Sequence, residues 1–387
     1  MRKLGIAIIG LGAISSVHIE GYLNFKEQCD IRVLCDMNVE KADKIIKDFD
    51  IKNATVITDW QKVLDKDDID LVSICLPPSL HATIAKRILE SGKNVLIEKP
   101  MALSLKDCDD IIRIAEENKV LVSVVSQNRY KIPVMKVKQI IDRKIAGPVL
   151  TSIVNSFWWR GGNYYDIWWR GKWQSEGGGC LMNHSVHHID LLQWINGMPS
   201  SVTAVINNLV HDNSECEDHA VVILQYPQMT AQLTSSLLAH NEEQELIFQT
   251  TKCRLSIPWK PAASKALANG FPEENTQFLE EIQAYYESVE EIKYEGHTAQ
   301  ILNVIRAING EEDLLIDGNE GRKTIEIIMA IYKSALLGRT VDLPLEKEDD
   351  FYNFDTFIQS MPHFNEKTIS TEGYSENVIT LGRNVGK

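Results

Sequence analysis

The sequence predicts an α/β protein of two domains: a doubly wound parallel sheet first, then an α/β domain on a large, open, mostly antiparallel sheet. Three observations predict it. Short, nearly continuous runs of Val, Ile and Leu alternate with amphipathic stretches through the first third of the chain, the mark of parallel strands buried on both faces by crossover helices. After Tyr130 longer runs of alternating apolar and polar residues take over, as a sheet with one wet face requires. Finally, 387 residues exceed one ordinary core, so about two domains follow from length.

In the first domain, taken as 1–127, strands are expected at 5–9, 31–35, 71–76, 94–97 and 120–125, with helices at 14–25, 39–49, 81–90 and 105–118 between them. Gly92 follows the third helix where a left-handed C-terminal cap belongs, and Ser104 precedes the fourth as its N-cap. The second domain, 128–345, opens with a helix at 132–143 that stops before Ala146-Gly147-Pro148. Strands follow at 149–158, 201–209, 220–226 and 230–238, interrupted by a helix at 181–195. Helices at 298–308 and 320–337 close the domain, the second stopped by Gly338. The polar, weakly patterned stretch 346–387 is read as a carboxyl-terminal extension.

A hydrophobic content of 44% with 24% charged residues is ordinary globular composition. A net charge of −14 makes nucleic acid and anionic membrane unsuitable partners, although helix ends can still hold a phosphorylated ligand. The seven cysteines are scattered, never spaced C-x-x-C, and several sit in apolar runs, such as Cys35 and Cys75. They read as small core residues in a reducing compartment. No cleavable leader pattern or membrane-length segment is present, so the expectation is a soluble, cytoplasmic protein.

Gly10-Leu11-Gly12-Ala13-Ile14-Ser15 follows an expected strand and opens an expected helix, the context in which a Rossmann dinucleotide motif carries meaning. Gly10 permits the tight turn, and Gly12 lets a pyrophosphate approach the backbone. The helix start, with Ala13 and Ile14, offers unpaired N–H groups and a partial positive charge. Ser15 stands in the third glycine's place. Asp36, at the end of the next strand, is placed to accept hydrogen bonds from the adenosine ribose and to repel a 2′-phosphate, which selects NAD over NADP. Alternatively, Asp36 is a turn residue capping the helix after it.

Glu98-Lys99-Pro100 sits at the carboxyl end of a parallel strand, where ligands bind. A lysine there can stabilise charge on a reacting oxygen, or be a solvated surface cation. The segment from Gly177 to Asp190 is the densest in chemistry. If a regular helix starts near Leu181, Asn183, His187 and Asp190 share one face, with His184 and His188 on a neighbouring stripe. His187 can take a hydroxyl proton as hydride leaves the same carbon. Buried structural histidines and a metal site are the alternatives. The missing H-E-x-x-H pattern and third ligand weigh against metal, and none is expected. The aromatic stretch Phe157 to Arg170 can stack on a sugar or nicotinamide, or pack a sheet edge; function is favoured for Trp169 and Arg170, which flank the glycines. Arg129, Arg160, Tyr164 and Tyr165 are further substrate candidates.

Together these residues resemble the glucose–fructose oxidoreductase, inositol dehydrogenase and rhizopine catabolism (Gfo/Idh/MocA) family. The resemblance runs from Leu4 to Leu345 and rests on the order and spacing of several motifs. They are Gly10/Gly12, Leu76-Pro77-Pro78 with His81, and Val95 to Pro100. Gln127-Asn128-Arg129-Tyr130, Trp169-Arg170, the glycines leading to His187-His188-Ile189-Asp190, and Gly338 to Pro344 complete the set. It implies a homodimer or homotetramer joined through the second sheet, and a sugar, inositol or sugar-derivative substrate. It also implies Lys99 and His187 as the catalytic pair, with Pro78, His81, Glu98 and Arg170 helping to hold NAD; Lys99, Gln127 and Trp169 are further cofactor-binding candidates. Many family members carry Asp where this chain has Asn183. An amide binds a hydroxyl but cannot act as a base, so proton chemistry falls to His187 with Lys99. A lyase, epimerase or glycosidase using NAD transiently shares every motif. A non-catalytic sensor has no chemical need for Lys99 and His187.

Overall fold

The computed structural model describes residues 2–373. Strand β1 (Leu4–Ile9) is buried along its whole length, as a strand covered on both faces must be. It lies within a six-stranded sheet with β2 (Cys29–Cys35), β3 (Thr55–Ile57), β4 (Leu71–Ile74), β5 (Asn94–Ile97) and β6 (Val122–Val124), in the order β3-β2-β1-β4-β5-β6. Every neighbouring pair is parallel. The order reverses between β1 and β4, and that switch point opens a crevice at the carboxyl ends of the strands. Helices α1 (Ser15–Leu23), α2 (Val39–Asp48), α3 (Pro78–Glu90) and α4 (Leu105–Asn118) provide crossovers. Sequence patterning does not mark β3, an edge strand of three residues that is too short to show a period.

The second domain opens with α5 (Ile132–Asp142) and β7 (Val149–Phe157), then the short α6 (Trp173–Glu176) and α7 (Val186–Asn196). Strands β8 (Ser201–Asn207), β9 (His219–Gln225), β10 (Thr230–Ser236), β11 (Gln244–Thr250) and β12 (Arg254–Ile257) follow. An exposed hairpin, β13 (Ser264–Ala266) with β14 (Pro272–Glu274), stands apart. The helices α8 (Thr276–Ser288), α9 (Gly296–Ile308) and α10 (Gly318–Leu337) and strand β15 (Val341–Asp342) come next, and α11 (Phe354–Ser360) lies in the extension. The large sheet runs β12-β11-β7-β10-β9-β8-β15. It is antiparallel except between β7 and β10, the mostly antiparallel sheet that alternation predicts. β9 alternates buried and exposed residues along its length, so one face meets the core and the other is open. β11, β12 and α8 escape the sequence pattern because polar Gln244 and Glu245 open β11, β12 has only four residues, and only Ile282 of α8 is buried.

Two late helices tie the domains together. Instead of closing the second domain, α9 packs on the first, where Ile301, Val304 and Ile305 join a core with Ile6, Ile8 and Ile19. The start of α10 lies against β6: a Cβ on Gly318 or Gly321 would meet Val122 or Val124. Further along, α10 brings Tyr332 to the glycine-rich loop, with its hydroxyl 2.9 Å from Glu217 Oε1. A Cβ on Gly179 would come within 1.7 Å of the Glu217 carbonyl, so this glycine serves protein packing rather than a ligand.

The extension is anchored by buried Phe351, Tyr352, Phe357 and Met361; its residues 374–387 lie outside the described residues. All seven cysteines are free and buried, as expected of core residues. Among the described residues no helix is long and apolar enough to cross a membrane.

Candidate active site

The carboxyl ends of the parallel strands open on a cleft of about 2320 Å³ that continues between the domains. Gly10, Gly12, Ala13, Ile14, Asp36, Pro78, Glu98, Lys99 and Gln127 line it from the first domain. Arg160, Tyr164, Trp169, Arg170, Asn183 and His187 line it from the second. Three expected site residues are not among the lining residues. His81 is fully buried, and its ring nitrogens lie 2.7 Å from the Pro100 carbonyl and 2.8 Å from the Leu76 carbonyl, bracing two cleft loops from beneath. Arg129 is fully buried, with Nε and Nη2 donating to Asp190 at 2.9 and 2.8 Å and Nη1 to Glu320 at 2.8 Å. It is an ion pair joining α7 to α10 and cannot reach a substrate. Tyr165 is 1% exposed, its ring edge against Tyr164 and His211. Burial by tertiary packing removes both Arg129 and Tyr165 from the substrate set.

The nucleotide end fits a dinucleotide. Gly10 has φ +90°, and a Cβ there would lie 2.5 Å from the Cys75 carbonyl, so the turn itself needs glycine. A Cβ on Gly12 would meet nothing within 4 Å; its bare backbone leaves room in the cleft, which is what a pyrophosphate needs. No side chain caps α1; Ser15 N and Val17 N donate to the Gly12 and Ile14 carbonyls at 3.1 Å, and the positive end of the helix faces the place of the pyrophosphate. Ser15 fills the third-glycine position by burying itself and donating from Oγ to the Gly12 carbonyl at 2.7 Å. Asp36 is steered into the cleft by Leu11 N and Asn38 N, which donate to its two oxygens at 2.8 and 2.9 Å. Each oxygen keeps a lone pair for a ribose hydroxyl. Gln127 Oε1 is buried without a partner, a polar atom that a bound molecule can satisfy.

The chemical end is organised by a departure from regular helix. Leu181–Ser185 form a π turn leading into α7. A wider turn displaces the residues after it around the axis. The expected stripe of Asn183, His187 and Asp190 is broken: Asn183, His184 and His187 face the cleft, while Asp190 turns inward to Arg129. His188 is likewise buried, its Nδ1 2.8 Å from Ser156 Oγ. From the opposite wall Lys99, joined to Pro100 by a cis bond, donates from Nζ to the Asn183 carbonyl at 3.1 Å. The two candidate catalytic elements, β5 and the start of α7, thus meet across the domain boundary.

Burial shapes the charges. It lowers the Lys99 ammonium, with Glu98 opposing and Arg170 and Arg160 assisting. It also takes His187 well below its ordinary value, helped by Lys99 and His188. His187 is thus a neutral imidazole at physiological pH, able to accept a proton. Behind Lys99, Glu98 accepts from His18 Nε2 at 2.9 Å, and His297 Nε2 lies 3.5 Å from the same oxygen. Burial opposes the Glu98 charge, but these histidines hold it well below the usual carboxylate range. For His18, burial opposes the proton while Cys75 and Glu98 outweigh it and push its pKa up to about 10. His18, Glu98 and His297 bring three potential metal-ligand atoms within 4.8 Å of one another. A protonated His18 already satisfies the carboxylate, and a proton on that nitrogen excludes a metal from it.

Sequence reasoning missed His18 and His297, whose approach to Glu98 is long-range, and Glu176, which accepts from Gly171 N at 2.6 Å and from Arg170 Nη1 at 3.2 Å. It also missed the tail: Ser370, Thr371, Glu372 and Gly373 line the cleft. Thr371 N donates to the Asp166 carbonyl at 2.7 Å, and Trp168 N donates to the Thr371 carbonyl at 2.9 Å. Only the polar composition of this segment was visible in the sequence.

Comparison with known proteins agrees with this architecture. A model described as an oxidoreductase family, NAD-binding Rossmann fold, matches residues 4–126, and one for that family's C-terminal alpha/beta domain matches residues 137–343. The chain is 28% identical over 262 residues to 2,7-anhydro-N-acetylneuraminate hydratase of Mediterraneibacter gnavus, covering 66% of this chain and 68% of that one. It is 27% identical over 227 residues to levoglucosan dehydrogenase of Pseudarthrobacter phenanthrenivorans, covering 54% and 55%. Among solved structures, the WlbA dehydrogenase from Bordetella pertussis in complex with NADH and UDP-GlcNAcA superposes with a TM-score of 0.76 at 27% identity, over 89% of this chain and 99% of that one.

Proposed function

The chain belongs to the Gfo/Idh/MocA family of NAD-binding oxidoreductases, and we propose that it is an NAD-dependent dehydrogenase of a sugar, a cyclitol or a derivative of one. The observation that carries this reading is the meeting of Lys99 with the Asn183 carbonyl, one turn before His187. A cation and a neutral imidazole then face one space beside the cleft that Gly12 and Asp36 shape. Gly10, Gly12, Ala13, Ile14, Asp36, Pro78 and Gln127 hold NAD, with Trp169 and Arg170 closing on it from the second domain. When bound, the nicotinamide ring supplies the hydride acceptor. His187 takes the proton of a secondary hydroxyl on an imidazole nitrogen, and the Lys99 ammonium stabilises the negative charge growing on that oxygen. Asn183 hydrogen-bonds a substrate hydroxyl. Glu98, fixed by His18 and His297, supports the Lys99 charge from behind.

The test replaces Lys99 with Met and His187 with Ala and follows NADH at about 340 nm with a panel of cyclitols, aldoses, glycosides and sugar phosphates, each with NAD and NADP. The expectation is a loss of about 10²–10⁴-fold in kcat for each variant. Full turnover in either would remove that residue from the mechanism. A second reading, oxidation and re-reduction of one sugar carbon within a single turnover, is favoured by the likeness to a protein named as a hydratase. It predicts altered sugar with no accumulation of NADH.

The open face of the large sheet supports a homo-oligomer. Val205 is 61% exposed and pairs with the exposed Val221 across β8 and β9, beside exposed Ile223, an apolar patch that a second copy would cover. Val205→Lys with Val221→Lys should shift the mass by light scattering to that of one chain; an unchanged mass would place the interface elsewhere.

A further inference from the structure

Tyr164 stands at the centre of an unusually cationic corner of an acidic protein. The Arg170 guanidinium lies 4.0 Å from its ring centroid on one side, and Arg160 lies 5.6 Å from the same centroid. The His184 ring is 5.7 Å away, packed edge-on against Trp158 at 5.4 Å. All five of these residues line the cleft with Lys99. Two nitrogen atoms in this corner, Arg170 Nε and His184 Nδ1, are buried with no hydrogen-bond partner, and His184 as a whole is 6% exposed. Buried polar atoms are nearly always satisfied, and an unpaired one costs about 1–3 kcal/mol. Two orphaned atoms beside one ring therefore mark donor positions that no protein group fills.

The chemistry of that partner follows from what remains free. Arg170 Nη1 is occupied by the Tyr164 hydroxyl and by Glu176, so the guanidinium presents its Nε edge. Two parallel N–H groups on that edge match the two oxygens of a carboxylate. A neutral histidine can carry its proton on Nδ1 and add a third donor. Charge agrees. Arg160 is balanced by Glu242 at 2.6 Å, and Glu98 by His18, which leaves Lys99 and Arg170 against Glu176. Burial, only partly offset by Arg170 and Gly171, pushes the Glu176 pKa up to about 7, so near neutrality it cancels only part of one charge. The corner is net positive inside a chain of net charge −14. The pyrophosphate of a dinucleotide has its own place at Gly12 and the positive end of α1, so Arg170 can close on the cofactor through its stack with Trp169 and still present its Nε edge to a second ligand.

We infer that this corner is a carboxylate site, and that the substrate is an acidic sugar derivative whose carboxylate is held by Arg170 Nε and His184 Nδ1 beside Tyr164. The inference rests on the dehydrogenase reading above, because it places the carboxylate next to Lys99 and His187. Stacking of Arg170 between Tyr164 and Trp169, at 4.0 and 4.2 Å, holds the guanidinium plane in place before the ligand arrives.

The test is equilibrium binding to the full chain saturated with NADH, read by the fluorescence of the bound nucleotide at fixed ionic strength. The probes are D-glucarate and D-glucitol, which share a carbon chain and differ in the carboxylates. Glucarate should bind at least tenfold more tightly than glucitol, and Arg170→Gln should reduce that ratio to within threefold of one; Arg170→Lys, which keeps the charge and loses the planar edge, should reduce it in part. A wild-type ratio near one, including no binding of either probe, overturns the carboxylate site, and so does a ratio that survives Arg170→Gln. Because the wild-type ratio needs no variant, misfolding of a variant cannot protect the inference. Failure of the wild-type protein to bind NADH overturns the dehydrogenase reading and this inference together, whereas NADH binding without discrimination overturns this one alone.

Discussion

Replacing Gly10 and Gly12 separately by alanine distinguishes a glycine needed by the fold from one needed by the cofactor. At Gly12 a Cβ meets nothing within 4 Å, and its φ lies outside the left-handed range. Gly12→Ala therefore leaves the folded chain unstrained and narrows the unfolded ensemble, a change of about 0.4–1 kcal/mol in favour of folding. The added methyl nevertheless projects into the space reserved for the pyrophosphate. Losing one charge-assisted hydrogen bond there costs about 1.5–3 kcal/mol, or roughly 10- to 150-fold in the Kd for NADH. Gly10 behaves in the opposite way: its φ is +90°, and an added methyl would stand 2.5 Å from the Cys75 carbonyl, so Gly10→Ala should destabilise by about 1–3 kcal/mol. Thermal unfolding without cofactor and a fluorescence titration with NADH read the two effects independently. NADH affinity within threefold of wild type in Gly12→Ala would refute the placement of the pyrophosphate over Gly12. A lowered Tm in that variant would refute the claim that its Cβ meets open space.

Three further outcomes are expected. Arg129→Met leaves Asp190, 1% exposed, without its bidentate partner and should destabilise by about 3–5 kcal/mol; it should leave substrate KM unchanged, and a normal Tm with a raised KM would return Arg129 to the cleft. Asn213 accepts from Thr368 N and Ile369 N at 2.8 and 2.9 Å and donates to the Ile369 carbonyl at 3.0 Å. At about 1 kcal/mol for each bond, Asn213→Ala should speed amide exchange across 368–371 by roughly 100-fold, and unchanged exchange would mean that the tail is held by other contacts. Burial, against the N–H groups of Leu181 and Gly179, pushes the Glu217 pKa up to about 7. The folded chain then holds a proton that the unfolded chain releases near its ordinary pKa, so stability falls as pH rises from about 4.5 to 7 and levels off above. Glu217 contributes roughly 3 kcal/mol to that fall, and Glu176, likewise pushed up to about 7, adds to it over the same window, so Glu217→Gln should make the profile shallower without flattening it; an unaltered slope would assign the dependence to other groups.

Local sequence was a good guide wherever a short stretch of chain sets its own geometry. The order of strands and helices in the first domain apart from β3, the turn at Gly10, the N-cap at Ser104 (its Oγ accepting from Asp107 N at 3.1 Å) and the left-handed stop at Gly338 were all legible. The places of Lys99 just past β5 and of His187 near the start of α7 were legible too, because element boundaries are set by residues close in sequence. The departures share one cause. Arg129 and Tyr165 carry the right chemistry for a substrate site, but Asp190 with Glu320 claims the first and aromatic packing buries the second. Neither partner set is near in sequence.

The sequence by itself determined the class of fold, the nucleotide end of the cleft and the identity of the residues available for chemistry, because turn glycines and apolar periodicity act over a few residues. Only the tertiary structure decided which of those residues face the cleft. The π turn at Leu181–Ser185 rotates Asp190 inward and brings His184 to the cleft wall. The approach of α9 brings His297 beside Glu98, and the returning tail adds Thr371 and Glu372 to the wall. Each depends on contacts between segments far apart in the chain, whose energies no local pattern records.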